Sequence, residues 1–223
     1  MPPGHHDKPR ALPALQVGAS PLAGAVSQPR VTDIDVVPAT TDRWADVETL
    51  LGGDGERGCW CQAWRGRDEI AKASGETRRE TLQRQLATHS PPPGFLAYIA
   101  NEAVGWVGVS VRTSTPRLVN SRTIPAPDDL PVWSIGCFKI RVGYRRRGVA
   151  RALLRGVIQA AREAGAPGVE AYPIDPGGRR VDVNFAFVGL TSMFDDAGFR
   201  RVTTTDARSA GLPRLLVRLQ LSR

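Results

Sequence analysis

The chain has 223 residues, which suits one domain of ordinary size or one domain with an appendage, and allows a single substantial core. With 41% hydrophobic and 23% charged residues it falls in the globular range, which excludes a wholly disordered or collagen-like chain. The formal charge is +8, and because Lys8, Lys72 and Lys139 are the only lysines the basic side is almost all arginine, whose planar fork suits phosphate and predicts an anionic partner.

Residues 1–30 are rich in Pro, Ala and Gly, and Pro13, Pro21 and Pro29 cut their short apolar pieces before a secretory core can form. A disordered tail is expected there, with a true start near Val31 as the alternative, and His5 and His6 within it read as solvated. The folded domain is expected over 31–223. Ile34, Val36 and Val37 predict a strand closed by Pro38, followed by a helix from Thr40, Thr41 or Asp42 through Leu51. A glycine-rich loop from Gly52 to Gly58 leads into Cys59-Trp60-Cys61-Gln62-Ala63-Trp64-Arg65. A polar helix from about Asp68 to Thr88 is stopped by Pro91-Pro92-Pro93. Phe95 to Ala100 and Ala103 to Arg112 read as a hairpin around Asn101-Glu102, and Pro116 to Pro131 as a loop.

Val132 to Ile140 is a mostly apolar run, as expected of a strand buried on both faces and central in its sheet. After it, Arg141 to Ala150 is a basic, glycine-containing turn that enters a helix with apolar positions Val149, Leu153, Val157, Ala160 and Ala164, capped by Gly165. Val169 to Ile174 predicts a strand, Leu190 to Ala197 a short helix, and Arg201–Thr204 and Leu215–Leu219 the last strands. No apolar run reaches the roughly 18 residues of a membrane span, Asn101 and Glu102 interrupting the longest candidate. Cys59, Cys61 and Cys137 are too few and odd in number for a disulfide framework, so a reducing, cytoplasmic compartment is expected. Cys-x-Cys offers two ligands where zinc wants four, so no metal is expected.

A strand running into an arginine-rich turn at a helix start aims backbone N–H groups and the positive end of the helix dipole at one point, where Gly148 lets a ligand approach. A diphosphate fits such a cradle. The spacing Arg145-x-x-Gly148-x-Ala150, with the buried strand before it, the striped helix after it and the Gly198-Phe199 helix end downstream, resembles the acyl-CoA signature (Q/R)-x-x-G-x-(G/A) of the GCN5-related N-acetyltransferases, the GNAT superfamily. The resemblance implies an α/β fold with a central mixed sheet flanked by helices. It implies that Phe138, Lys139 and Ile140 pair through their backbone with the pantetheine arm of acetyl-CoA. Arg145, Arg146, Arg147, Gly148, Val149 and Ala150 would then hold the pyrophosphate, with Arg151 adding charge. Arg147, Arg151 and Arg155 share one helix ridge, and Arg155 is expected to be solvated because it lies beyond the first turn.

The implied reaction is attack of a neutral amine on the acetyl thioester, giving an oxyanion held by a strand N–H and then a thiolate. In the family a tyrosine ahead of a Gly-Phe pair often protonates the sulfur, and here the position four before Gly198 is Phe194, without a hydroxyl. Phe187 stands where an asparagine is common, with Asn184 three residues early. The replacements read from the sequence are Glu170 as base and Tyr172 as acid or acceptor contact, two apart on one side of a strand, against the alternative of a surface pair. Ser192 and Asp175 rank behind them. Trp60, Trp64 and Arg65 fall where the family's first interhelical loop borders the acceptor, so they are expected either to wall the substrate or to pack as core anchors; Trp106 and Trp133 are expected in the core. Asp54, Glu56, Asp128 and Asp129 near those loops can attract a cationic amine. An acetyl-CoA-dependent N-acetyltransferase is the leading reading, with a small amine and a protein lysine both open as acceptor. A non-catalytic acyl-CoA sensor of the same fold is the first alternative. An RNA-binding module is the second, opposed by the lack of interleaved aromatics. Membrane association is not expected, and a homodimer stays open.

Overall fold

The structure, a computed structural model, describes residues 34–182 and 185–221. The tail, with His5, His6 and the alternative start, and Asn184 lie outside the described residues. The strands β1 (Asp35–Pro38), β2 (Gly94–Ile99), β3 (Glu102–Val111), β4 (Trp133–Ile140), β5 (Gly168–Ala171), β6 (Arg200–Ser209) and β7 (Leu212–Gln220) form one sheet in the order β1-β2-β3-β4-β5-β7-β6. All neighbours are antiparallel except β4 and β5. The helices are α1 (Trp44–Leu51), α2 (Gln62–Arg65), α3 (Glu69–Ser74), α4 (Arg78–Thr88), α5 (Pro116–Val119), α6 (Val149–Glu163) and α7 (Thr191–Asp195). This is the mixed α/β architecture expected, with β4 at its centre.

A parallel pair needs a crossover, and α6 supplies it between β4 and β5. Its apolar stripe, Val149, Leu153, Val157 and Ala161, is buried against Phe95, Val107, Ile135 and Val169 on one face of the sheet. The other face carries a second core in which α1 and α4 cover Leu96 and Trp106 through Leu50, Leu51, Leu82 and Leu86. Fully burying side chains such as Leu153 and Leu82 contributes about 1.5–3 kcal/mol each. Gly156 brings α6 close to β1, since a Cβ there would lie 2.9 Å from Val36 Cβ. Gly156→Ala, despite its better helix propensity, is expected to destabilise by about 1–3 kcal/mol through overpacking, lowering the urea midpoint at constant slope.

Several elements differ from the sequence reading. The polar helix over Asp68–Thr88 is two helices, because Gly75 adopts φ 76° and Thr77 with Glu80 forms a capping box that starts α4 afresh. Pro38 ends inside β1 at the sheet edge, where a missing N–H is tolerated, and α1 is preceded by a 3-10 turn over Thr41–Arg43. The Pro116–Pro131 segment includes α5, started by Pro116 at its first turn. The strand expected over Val169–Ile174 is continuous only through Ala171, beyond which Ile174 makes isolated bridges to Leu190 and Arg214. The final hairpin is longer than its apolar letters suggested, because the exposed residues of β6 pair along β7. No helix among the described residues is long and apolar enough to cross a membrane.

Candidate functional site

The site begins where β4 and β5 part. Their pairing runs through Trp133↔Val169, Ser134↔Glu170 and Ile135↔Ala171 and then stops, while β4 continues five residues to Ile140. At the same point β4 is bulged: Val109 pairs with Ile135 and Gly108 with Cys137, leaving Gly136 as the extra residue. A bulge bends its strand away from its neighbour, so a local insertion in β4 produces the fork between the two parallel strands. A cleft of about 470 Å³ opens there, lined by Phe138, Lys139 and Ile140, by Arg145 and Ala150, and by Asp54, Phe187 and Met193. It falls in the size range of small-molecule sites.

The cleft continues into a second recess of about 310 Å³ lined by Tyr144, Arg145, Arg146, Gly148, Val149, Ala150 and Arg151. Gly143 (φ 93°), Arg146 (φ 60°) and Gly148 (φ 84°) all have positive φ, which curls the turn so that successive amides line its inside. Among the described residues the backbone N–H groups from Arg145 to Arg151 have no backbone acceptor; the first bond into α6 is Ala152 N–H to Gly148 O at 3.0 Å. Free amides, a helix N-terminus and exposed guanidinium groups together fit a diphosphate. Tyr144 organises the arginines: Arg147 stacks on its ring at 5.1 Å and Arg141 at 5.8 Å, while its hydroxyl and Arg141 both hold Glu102. Arg145 turns back to Ile140 O at 3.3 Å, and Arg151 is paired with Asp196 at 2.5 Å. Arg155 is exposed.

On the opposite face of the fork the sequence reading needs correction at four residues. Trp60 is 2% exposed, stacked on Trp44 at 5.9 Å with its Nε1 donating to Gly55 O at 2.9 Å, so it is a core anchor. Arg65 is also buried; its guanidinium donates to the carbonyls of Pro93 and Val109 and to Gln85, bracing β2 and β3 rather than facing an acceptor. Glu170 and Tyr172 share a face as expected, but that face is sealed. Glu170 is fully buried between Arg112 and Arg218, with Arg218 Nη2 at 2.6 Å and the Tyr172 hydroxyl donating at 2.5 Å. Tyr172 in turn accepts from Arg112 at 2.7 Å and Ser134 at 3.2 Å. A carboxylate so occupied has little capacity left for an amine proton. Burial, reinforced by the Glu170 charge, pushes the Tyr172 hydroxyl upward, against proton donation.

Of the predicted wall only Trp64 stands at the fork. It is half-buried, its ring 5.1 Å from Tyr172, and a Cβ on Gly136 would run into its Cγ and Cδ1. Trp64 thus occupies the space vacated by the missing side chain of the bulge. Phe194 is fully buried between Phe138 and Phe199, so the family's tyrosine position has become core. Beside the bulge, Cys61 and Cys137 place their sulfurs 3.5 Å apart; hydrogen bonding between them draws Cys61 down and Cys137 up. Two site residues escaped the sequence reading. Gly136 was foreshadowed by a glycine inside an apolar strand, a known mark of a bulge. Arg214, whose guanidinium carbon stands over the Trp64 ring and whose Nε donates to Tyr172 O, had no such mark, because its surroundings come from residues distant in the chain.

A central mixed sheet flanked by helices, with β4 and β5 parting at a bulge, is the fold that the acyl-CoA signature implied. The profile described as "Acetyltransferase (GNAT) family" matches residues 60–178, more than half of the chain, and the chain belongs to that family. It is an N-acetyltransferase of a fold that binds acetyl-CoA and uses an amine acceptor. No curated protein sequence matches the chain. The structure is similar in fold to one described as histone acetyltransferase HPA2 and related acetyltransferase from Corynebacterium glutamicum, at 17% identity over 86% of this chain and 98% of that one, TM-score 0.52. An acetyltransferase from Streptococcus agalactiae gives 13% identity, coverage of 85% and 96%, and TM-score 0.51. An agmatine N-acetyltransferase gives 13%, 85% and 100%, and 0.51.

Proposed function

We propose that the protein transfers the acetyl group of acetyl-CoA to a primary amine by direct attack, and that the amide-lined turn from Arg145 to Arg151 holds the donor. The observation that carries this reading is the coincidence of those unpartnered amides with the fork between β4 and β5. Acetyl-CoA supplies an activated thioester carbonyl. The chain's own part is positioning: Phe138, Lys139 and Ile140 offer a strand edge free of β5, Phe187 and Met193 wall the cleft, and Arg145 to Ala150 neutralise phosphate. In the transfer the amine nitrogen bonds to the carbonyl carbon, the carbon–sulfur bond breaks, and the amine proton must leave. Asp54, exposed in the 3-10 segment after α1, is the one carboxylate among the described residues that lines the cleft, and it takes that proton directly or through water. A thiol of pKa about 8.5 departs as thiolate without an acid, consistent with Phe194 in the usual position.

The test is thiol release from acetyl-CoA with a panel of amines and lysine peptides. Asp54→Asn is expected to lower kcat by about 100-fold while leaving acetyl-CoA affinity within a factor of about two. An unchanged kcat removes Asp54 from the reaction.

A further inference from the structure

The transfer reading says nothing of which amine is taken, and a cavity beside Trp64 carries that information. It is an open recess of about 410 Å³ between α2, α5 and the β6–β7 hairpin. Trp64, Leu118, Ile124 and Ala207 give it apolar walls, and among the described residues its charged lining is Arg117, Arg208 and Arg214 against Asp206. Arg214 is 9% exposed. Its Nε donates to Tyr172 O at 2.8 Å, and its guanidinium carbon stands 5.2 Å from the centre of the Trp64 ring.

Arg214 Nη2 is buried with no hydrogen-bond partner among the described residues, and so is Trp64 Nε1. Both are donors on residues of the same cavity. No carboxylate among the described residues pairs with Arg214, whereas the buried charges of Arg112 and Arg218 are met by Glu170 and Asp128. Burial lowers Arg214 to about 10, which still leaves it cationic at neutral pH. A buried guanidinium without a counter-charge is expensive, and an oxyanion from a ligand supplies what it lacks. The ring that carries one orphan donor also covers Gly136 at the fork, so an anion held here sits beside the place where acetyl is transferred.

We propose, building on the acetyl-transfer reading, that the acceptor is a small amine bearing a carboxylate, an amino acid with an apolar side chain, whose carboxylate is bound by Arg214 and Trp64. Leu118 and Ile124 receive the apolar portion. Cationic acceptors such as polyamines meet three arginines and are disfavoured.

The experiment compares thiol release with leucine and phenylalanine, with the amines left by removing their carboxylates, with agmatine, and with a lysine peptide, using the full chain. The amino acids are expected to exceed their decarboxylated amines in kcat/KM by about 10- to 100-fold, as for loss of hydrogen bonds to a charged group. Arg214→Gln is expected to collapse that ratio towards one with KM for acetyl-CoA unchanged. Trp64→Phe, which keeps the ring and removes Nε1, is expected to shrink the ratio several-fold and covers the case in which Arg214→Gln does not fold. Equal or better turnover of the decarboxylated amines, agmatine or the peptide overturns the proposal and leaves acetyl transfer standing. If nothing releases thiol, calorimetry of the same amino acids with the CoA-bound protein decides. Binding that Trp64→Phe weakens supports the carboxylate site while the transfer reading falls, and no binding overturns both.

Discussion

Replacing Gly148 by Glu is expected to abolish saturable binding of acetyl-CoA without unfolding the protein. Gly148 stands at the N-cap of α6 with φ 84° and ψ −2°, a left-handed conformation that costs other residues roughly 1–2 kcal/mol. The larger effect is electrostatic. The glutamate carboxylate would enter the turn where amides 145–151 converge and would compete for the donors a pyrophosphate needs. At a ligand concentration near 100 times Kd, the native chain should be stabilised by about 2.7 kcal/mol, or roughly 5–10 °C in Tm for a protein of this size. The variant should show no shift at the same concentration. Gly148→Ala separates the two contributions, since it adds the strain and not the charge, and should retain most of the shift. No thermal shift of the native protein at millimolar acetyl-CoA would remove the donor site from this turn.

The second large effect is expected at Glu170. Substitution by Gln leaves the guanidinium groups of Arg112 and Arg218 buried beside a neutral amide, and breaking a buried ion pair from one side costs about 3–5 kcal/mol. For a chain of this length that lowers Tm by roughly 6–20 °C. Asp128, 2.5 Å from Arg218, keeps part of that charge satisfied, so Arg112 bears most of the loss. The outcome also decides between roles. A large fall in Tm with kcat preserved below the new melting range fits the sealed cluster. An unchanged Tm with kcat reduced by about 100-fold or more would restore Glu170 as the base that strand alternation alone suggests.

The strand, turn and helix on which the proposed donor site rests were legible in the sequence because they are local. Arg145, Gly148 and Ala150 lie within six residues, and strand, turn and helix follow one another without a gap, so spacing carries the geometry. The same locality explains the charge: Arg141 to Arg162 include seven arginines and no acidic residue, and the rest of the chain carries 23 basic against 22 acidic residues. The central strand and the striped helix were legible for a similar reason, since both are periodic over more than two turns or pleats. The acceptor side was not. Alternation places Glu170 and Tyr172 on one face, but whether that face meets solvent or two buried arginines depends on Arg112, 58 residues away in sequence, and Arg218, 48 away. Trp60 and Trp64 belong to one short segment, yet one packs into the core and the other walls the fork, because Cys61 at φ 60° turns the chain between them.

From the amino-acid sequence alone came the class of fold, the family resemblance and the arginine-rich turn proposed to hold phosphate, all of which rest on contacts between near neighbours or on a repeating hydrophobic pattern. The tertiary structure alone decided which polar groups are satisfied. Arg214 reads in the sequence as one arginine among many; only the meeting of β7 with α2 and α5 buries it beside Trp64 with no carboxylate among the described residues to answer it. Hydrogen-bond satisfaction of a buried charge is a property of every segment packed around it, and no stretch of sequence contains that sum.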